Sequence, residues 1–280
     1  MAGVAAVTEV LGLVGFGFAV GFYGTLVGIG GGPLLVPMLA LFYDQPPATI
    51  VATSLSVVFL NALSGSAAYY QQRRIDLVSG TVFGFATIPS SVAAYFLLAH
   101  LSHALFTRVF GVFLLFLAGY VLFGPTPAAA APTSTPGDYG LLGPLSPRRL
   151  VDSAGSTYLY AVDERLGTLV NVAFGAGTTV LGIGGGILQV PLLVYVLRFP
   201  VHIATATAHY VTSINTAFTL IPLLFFGHVD PRLTLCLGAG VVFGARLGAR
   251  FSRRFSGQTL LRLLTIVFVL AGVRMLFGRA

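Results

Sequence analysis

Charge, lysine, tryptophan and cysteine are scarce in this sequence. Only 8% of its 280 residues are charged, there is no Trp, and all 15 basic residues are Arg. A soluble domain carries about 25% charged residues. With 56% hydrophobic residues and a mean hydropathy of +0.93, the composition indicates a multi-pass membrane protein. The single Cys236 excludes an intrachain disulfide, a two-cysteine metal site and a CxxC redox pair.

Catalytic and nucleic-acid-binding signatures are also missing. All eight Asp and Glu residues lie near segment ends, in loops or in the linker, so the usual carboxylate relay of a proton-driven carrier is absent. There is no Walker sequence, no His-Glu-x-x-His and no nucleophile elbow. The net charge of +7 comes from arginines at the ends of apolar runs. We therefore expect no enzyme, no cofactor, no metal and no nucleic-acid partner.

A glycine run that occurs twice dominates what is present. Gly28–Pro37 reads GIGGGPLLVP and Gly182–Pro191 reads GIGGGILQVP, with eight of ten positions identical at an offset of 154 residues. The same offset continues without a gap through further identical pairs: Ala52/Ala206, Thr53/Thr207, Val57/Val211, Asn61/Asn215, Asp76/Asp230 and Gly84/Gly238. The sequence is therefore two copies of one unit.

Consecutive glycines make poor helix, because glycine loses the most backbone entropy on ordering. A glycine run inside apolar sequence thus predicts a helix that breaks within the membrane, which is tolerated where the backbone is buried in protein or lines a cavity. Breaks at matching places in two halves are typical of transporter binding sites. The alternative is close helix packing through small residues, although that needs spaced glycines.

Apolar segments divide the sequence into an all-α polytopic fold. The first repeat, residues 1–123, has a glycine-broken block over 8–43 and segments over 48–70, 77–99 and 105–123. Residues 124–160 form a cytoplasmic linker that we expect to be flexible and partly helical near its end. The second repeat, residues 161–280, has a broken block over 165–197 and segments over 202–226, 231–249 and 257–277.

Arginine distribution separates two topologies. If each broken block crosses the membrane once, the arginines divide 8 to 7 between the two sides. If each block is re-entrant and returns to the side it entered, each repeat has three crossings, the repeats are inverted, and the division is 11 to 4. The positive-inside rule favours the second arrangement. It places the linker in the cytoplasm and both termini in the periplasm. The start of the sequence lacks a typical cleavable signal peptide.

Pro33–Tyr43 and Ile187–Leu197 are then half-helices whose N-termini lie near the membrane midplane. A helix N-terminus offers unpaired N–H groups and the positive end of its dipole. The preceding glycines allow a ligand to approach the backbone, so each terminus is a candidate anion site. The residues concerned are Gly30, Gly31 and Gly32 with Gly184, Gly185 and Gly186.

Polar residues within the apolar segments are further substrate-binding candidates. Asn61 and Asn215 fall near the middle of equivalent crossings, either facing a ligand or bonding helices together. Thr53 and Thr207 lie about two turns earlier and are weaker candidates, because Thr often bonds its own backbone. Gln189 replaces Leu35 of the first repeat. His209 replaces Leu55; it either binds or titrates, or is simply a satisfied core histidine.

The doubled glycine motif resembles the sulfite exporter TauE/SafE family of membrane permeases. The resemblance rests on the two GIGGG runs, each leading into an apolar half-helix and followed about 30 residues later by Asn, and it covers the sequence outside the linker. It implies a permease of the bacterial inner membrane for sulfur-containing anions such as sulfite, or organosulfonates such as sulfoacetate. The family's glycine runs fall on Gly28–Gly32 and Gly182–Gly186.

The function expected is therefore a secondary transporter that exports a small sulfonate or sulfite by alternating access. A small-anion channel is the alternative, because the same helix termini would serve it. A membrane enzyme or a structural subunit is disfavoured by the missing catalytic groups and by the symmetric polar residues. The lipid bilayer and a small anion are the partners expected, and the sequence leaves oligomeric state open.

Overall fold

The computed structural model describes residues 2–43, 45–98, 100–123, 140–252 and 257–277, except for the side chains of residues 2–6, 121, 257–264 and 267. The first part of the predicted linker, residues 124–139, lies outside this range, as do Asp44, Arg253, Arg254 and Arg279.

Helices account for most of the described residues. The first repeat contains α1 (Ala2–Val27), α2 (Gly32–Phe42), α3 (Pro47–Gln71), α4 (Leu77–Leu98) and α5 (His103–Phe123). The second contains α6 (Glu164–Val180), α7 (Gly186–Pro191, continued by a π-helical turn over Leu192–Val196), α8 (Val201–Phe225), α9 (Pro231–Phe251) and α10 (Gly257–Phe277). The predicted segments are confirmed, and where both ends are described they agree to within a few residues.

Five of the described helices are long and apolar enough to cross a membrane: α1 from Val7, α3, α4, α5 and α9. With 26 residues, α1 is about 39 Å long at 1.5 Å per residue. Its counterpart α6 has 17 residues, which makes it about 25 Å long. The chain is therefore a mostly helical, multi-pass membrane protein. We call the helix before the glycines of each block its long arm; the long arm of the first block, α1, is longer than that of the second, α6.

Both glycine-broken blocks fold back on themselves. Near the start of α1, Glu9 accepts a 2.8 Å hydrogen bond from Arg232, and just after α2 Gln45 donates to Asp230 at 3.4 Å. Both partners lie at the start of α9, so the first block begins and ends at one end of the bundle. In the second block, Gly167 of α6 lies directly against Leu197, which follows the π-helical turn.

The two repeats are interlocked, because the long arm of each packs against a helix of the other. The α1 helix packs along α9, and α6 packs along α4. Small residues make the α1–α9 contact close: a Cβ on Gly240 would collide with the Val14 carbonyl, and one on Gly244 with the Phe18 carbonyl. The α1 helix of the first repeat is therefore covered by α9 of the second, and α6 of the second repeat by α4 of the first.

Equivalent hydrogen bonds relate the central helices α3 and α8. The Asp230 N–H donates to Thr53 Oγ1 at 3.1 Å, and the Asp76 N–H donates to Thr207 Oγ1 at 3.0 Å. The start of α3 thus lies beside the residue that follows α8, and the start of α8 beside the residue that follows α3. The two helices therefore run antiparallel.

The end of the predicted linker is a β-hairpin, so the expectation of helix there is wrong. Strands β1 (Ser146–Val151) and β2 (Thr157–Val162) pair antiparallel. Asp152 closes the turn by accepting from the N–H groups of Ala154 and Ser156. Alternation of buried and exposed side chains, which suits a strand covering one surface, explains why this segment is extended.

The hairpin is fastened to the N-terminus of α4. Tyr160 donates to Asp76 Oδ2 at 2.8 Å, Arg148 bridges Asp76 and Glu164, and the Tyr160 ring lies 4.9 Å from that of Phe199. Burial, with the neighbouring Asp76 carboxylate, raises the pKa of Tyr160, so the phenol stays a donor at neutral pH. The hairpin therefore forms part of the folded bundle.

The close α1–α9 contact predicts a penalty for any side chain at Gly244. Gly244→Ala should lower the free energy of unfolding by about 1–3 kcal/mol, because the added methyl meets fixed backbone. Gly12→Ala on α1, where nothing lies within 4 Å, is the matched control and should be neutral or stabilising by up to about 1 kcal/mol. Thermal unfolding in detergent measures both. Equal midpoints for the two variants would contradict the packing.

The docked hairpin predicts a specific effect of one phenol. Tyr160→Phe removes the donor to Asp76, and hairpin opening should rise about 10- to 100-fold, the range for losing a hydrogen bond to a charged group. The readout is the rate of trypsin cleavage at the exposed Arg149. Tyr158→Phe, the same change two residues earlier on β2, should leave the rate unaltered. If both variants are cleaved as slowly as the wild type, the Tyr160–Asp76 bond does not hold the hairpin.

Candidate functional site

The two glycine runs meet back to back. A Cβ on Gly32 would collide with the backbone of Ile183, and one on Gly186 would lie 2.8 Å from the carbonyl carbon of Ile29. All the glycines of both runs are buried. The candidate site is therefore a junction between two stretches of backbone, and side chains enter it only from the surrounding helices.

Positive φ angles turn each run into a tight loop. Gly28, Gly30 and Gly31 have φ between 76° and 88°. Their counterparts Gly182, Gly184 and Gly185 have φ between 65° and 101°. A side chain strains this left-handed region, so glycine is needed here for its conformation as well as for its size. The backbone reverses within a few residues and starts a new helix.

Each loop ends at a helix N-terminus that lacks a side-chain cap. Gly31 caps α2 and Gly185 caps α7, and neither has a side chain that could accept from the first N–H groups. Within the described residues, the N–H groups of Gly31, Gly32, Gly185 and Gly186 have no hydrogen-bond acceptor. Pro33 follows at a position where its missing N–H costs nothing. The half-helices predicted from the sequence are confirmed as helices.

Asn61 holds the first loop in place. Its Nδ2 donates to the Gly30 carbonyl at 2.8 Å, and its Oδ1 accepts from the Thr25 hydroxyl at 2.9 Å. Asn61 is fully buried. The sequence thus led to a residue that touches the glycine run, and in this structure its amide bonds to the protein on both sides.

The second loop is held differently, although its sequence is nearly the same. Ser54 donates to the Gly182 carbonyl at 2.8 Å. Asn215 accepts a 2.6 Å hydrogen bond from Ser91 of α4 and a longer one from Thr219. Thr179, the counterpart of Thr25, has no partner for its hydroxyl in the described part of the chain. The two loops therefore have different polar surroundings.

Gln189 and His209 are buried, and each has an unpartnered nitrogen. Gln189 lies in the first turns of α7, and no described residue accepts from its Nε2. His209 Nδ1 lies 3.3 Å from the Thr205 carbonyl, while Nε2 has no partner among the described residues. The His209 ring packs edge-on against Tyr69, at 5.6 Å. Tyr69 in turn donates to the carbonyl of Thr25, the residue whose hydroxyl bonds Asn61. His209 is therefore connected to Asn61 through Tyr69 and Thr25.

The structure does not bring the hydroxyls of Thr53 and Thr207 to the junction. They accept from the backbone of Asp230 and Asp76 at opposite ends of the bundle. Thr53 also lines a shallow surface cleft with Leu39, Gln45, Thr49, Ile50 and Leu233. Within the described residues, no three His, Cys, Asp or Glu side chains group as a metal site would require.

Three residues at or near the junction, Val58, Thr212 and Ser91, were not predicted. Val58 and its counterpart Thr212 both lie against Gly30 and Gly184. Ser91 reaches Asn215 from another helix. The offset of 154 residues pairs the apolar Val58 with the polar Thr212. The sequence prediction rested on pairs that are identical, so this pair was passed over. Pairs that differ in polarity would have pointed to Thr212.

Comparison with known proteins reveals a family. The model of the sulfite exporter TauE/SafE family matches residues 13–275. The probable membrane transporter protein YunE of Bacillus subtilis is 28% identical over 272 residues, which cover 95% of this chain and 96% of that protein. A probable membrane transporter protein of Methanocaldococcus jannaschii is 25% identical and covers 94% of both chains. No solved structure matches.

The bonds of Asn61 predict that its amide stabilises the fold. Asn61→Ala should lower the free energy of unfolding by about 2–5 kcal/mol, because it leaves a cavity and strands both the Gly30 carbonyl and the Thr25 hydroxyl. The matched control is Asn171→Ala, another fully buried Asn, whose Nδ2 bonds only a carbonyl of its own helix.

The control should cost distinctly less, since no loop depends on Asn171. Thermal unfolding of the two variants in the same detergent makes the comparison. An equal loss of stability would mean that Asn61 contributes volume alone and does not hold the glycine loop.

Proposed function

The chain belongs to the sulfite exporter TauE/SafE family, and from this membership we propose that it is a secondary transporter. In this proposal it exports small sulfur-containing anions, sulfite or an organosulfonate such as sulfoacetate, by alternating access across the bacterial inner membrane. The observation that carries the proposal is the junction of two uncapped helix N-termini, at Gly31 and Gly185.

Two helix termini in contact suit one small anion. Each presents N–H groups without acceptors and the positive end of a helix dipole. Together they can bind an anion without a buried cation, whose desolvation would be expensive. Arg74, a buried guanidinium beside Tyr69, donates to Gln72, Ser252 and the His202 carbonyl. The backbone of Gly30–Gly32 and Gly184–Gly186 is then the substrate-binding surface.

The side chains around the junction have separate roles in this proposal. Asn61 and Ser54 fix the loops, while Gln189 and Asn215 shape the pocket. His209 supports Asn61 indirectly: it packs on Tyr69, which bonds Thr25, and Thr25 bonds Asn61. Thr53 and Thr207 lie away from the junction: Thr53 joins α3 to Asp230 just before α9, and Thr207 joins α8 to Asp76 just before α4.

Antiparallel α3 and α8 support inverted repeats, which are common in secondary transporters. The fold-back of the first block beside α9 supports a re-entrant arrangement. With the arginine-rich side in the cytoplasm, the hairpin is cytoplasmic and both termini are periplasmic. An anion leaving an inside-negative cell gains about 2.3 kcal/mol per charge per 100 mV, so export proceeds without a carboxylate relay.

A small-anion channel is the other candidate for this site. Burial of both glycine runs favours the transporter, because ligand can reach the junction only after a change of conformation. A channel would conduct without that change. Saturable flux and exchange of internal for external substrate therefore distinguish the transporter from the channel.

Purified protein should be stabilised selectively by sulfite or sulfoacetate. A ligand that binds only the folded state adds about 2.7 kcal/mol at one hundred times its Kd. We expect sulfite or sulfoacetate to raise the unfolding temperature, and sulfate, taurine, acetate and chloride to raise it less. Proteoliposomes should then release labelled ligand saturably, and faster when the inside is negative. Equal stabilisation by every anion, or by none, would overturn the proposed substrate class.

A further inference from the structure

Thr212 is a buried threonine with an unused hydroxyl. Elsewhere on α8, Thr205, Thr216 and Thr219 donate to the carbonyl four residues earlier, as threonines in helices commonly do. Thr207 bonds to the Asp76 backbone. Thr212 Oγ1 makes no hydrogen bond within the described structure, and the residue is only 2% exposed. Its hydroxyl is therefore turned away from the acceptor that its neighbours use.

Thr212 lies at the junction of the two glycine loops. Its Cγ2 lies 3.9 Å from where a Cβ on Gly30 would be, and 3.4 Å from the same point on Gly184. Val58, its counterpart in the first repeat, contacts the same two glycines. Both central helices thus place a methyl group against the two glycines, and on the same Cβ Thr212 also carries a buried, unpartnered hydroxyl that Val58 lacks.

Two further donors without partners flank the second loop. Gln189 Nε2 is on α7, the helix after the loop, and Thr179 Oγ1 is on α6, the helix before it. In the first repeat, Leu35 has no donor to offer and Thr25 has given its hydroxyl to Asn61. A buried donor without an acceptor is costly, so it is best explained where a ligand supplies the acceptor.

We propose that Thr212 selects the substrate by donating its hydroxyl to one oxygen of an oxyanion bound between the two helix N-termini. Gln189 and Thr179 donate from the second repeat, while the first repeat contributes backbone N–H groups alone. This inference rests on the proposed function and deepens it: the ligand is a small anion whose several oxygens only accept hydrogen bonds, and it is held asymmetrically. A chloride ion has no separate oxygens to meet such divergent donors.

The test compares Thr212→Val with Thr216→Val in purified protein titrated with sulfite, sulfoacetate and chloride. Both changes keep the side-chain shape and remove one hydroxyl from α8 beside Gly184. Thr212→Val should bind the oxyanions about 10- to 100-fold more weakly, the range for losing a hydrogen bond to a charged group. Its affinity for chloride should not change. Thr216→Val should bind as the wild type does, because Thr216 already bonds the Thr212 carbonyl.

Ligand-free stability separates binding from folding. Thr212→Val should unfold at the wild-type temperature or above it, since the lost hydroxyl had no partner, and Thr212→Ser should keep wild-type affinity. If Thr212→Val does not fold, Thr212→Ala provides the same comparison. Wild-type oxyanion affinity in the variant that lacks the hydroxyl overturns this inference and leaves the proposed function standing. A wild type that binds none of the anions overturns both.

Discussion

The structure depends on backbone-to-backbone contact between the two glycine loops. Gly32 against Ile183 and Gly186 against Ile29 leave no space for a side chain. The same contact brings the uncapped N-termini of α2 and α7 together, so close packing and the concentration of unpaired N–H groups have one origin. Asn61 on Gly30 and Ser54 on Gly182 then keep each loop from relaxing into helix. Glycine serves here through its small size and its left-handed conformation alike.

Much of this arrangement follows from the sequence, and the reasons are physical. Helix bounds follow from apolar length and from prolines that stand at helix starts, as Pro47 and Pro231 show. The glycine loops follow from the repeated run, because consecutive glycines in apolar sequence rarely serve any other purpose. Asn61 was found because a polar amide at membrane depth needs a partner. These features are dictated locally.

Features that depend on distant partners were harder to see. The β-hairpin was missed, although Thr157–Val162 is rich in strand-forming residues and Asp152–Ser156 is a typical turn. Its docking depends on Asp76, which is 84 residues from Tyr160. Thr212 could not be told from Thr216 by sequence, since both suit an apolar helix and only the structure shows which hydroxyl is engaged. Near-identical loops also conceal different settings, as Asn61 on Gly30 and Asn215 with Ser91 demonstrate.

The interlocked long arms have a consequence for synthesis. The surface of α1 at Gly17 is covered by Leu237, which is 237 − 17 = 220 residues later in the chain. At about 5–20 residues per second, the ribosome needs roughly 10–45 s to deliver that partner. Throughout this interval the small-residue face of α1 has only lipid or the insertion machinery against it. The first half of the nascent chain must therefore wait in the bilayer, incomplete, until α9 is inserted.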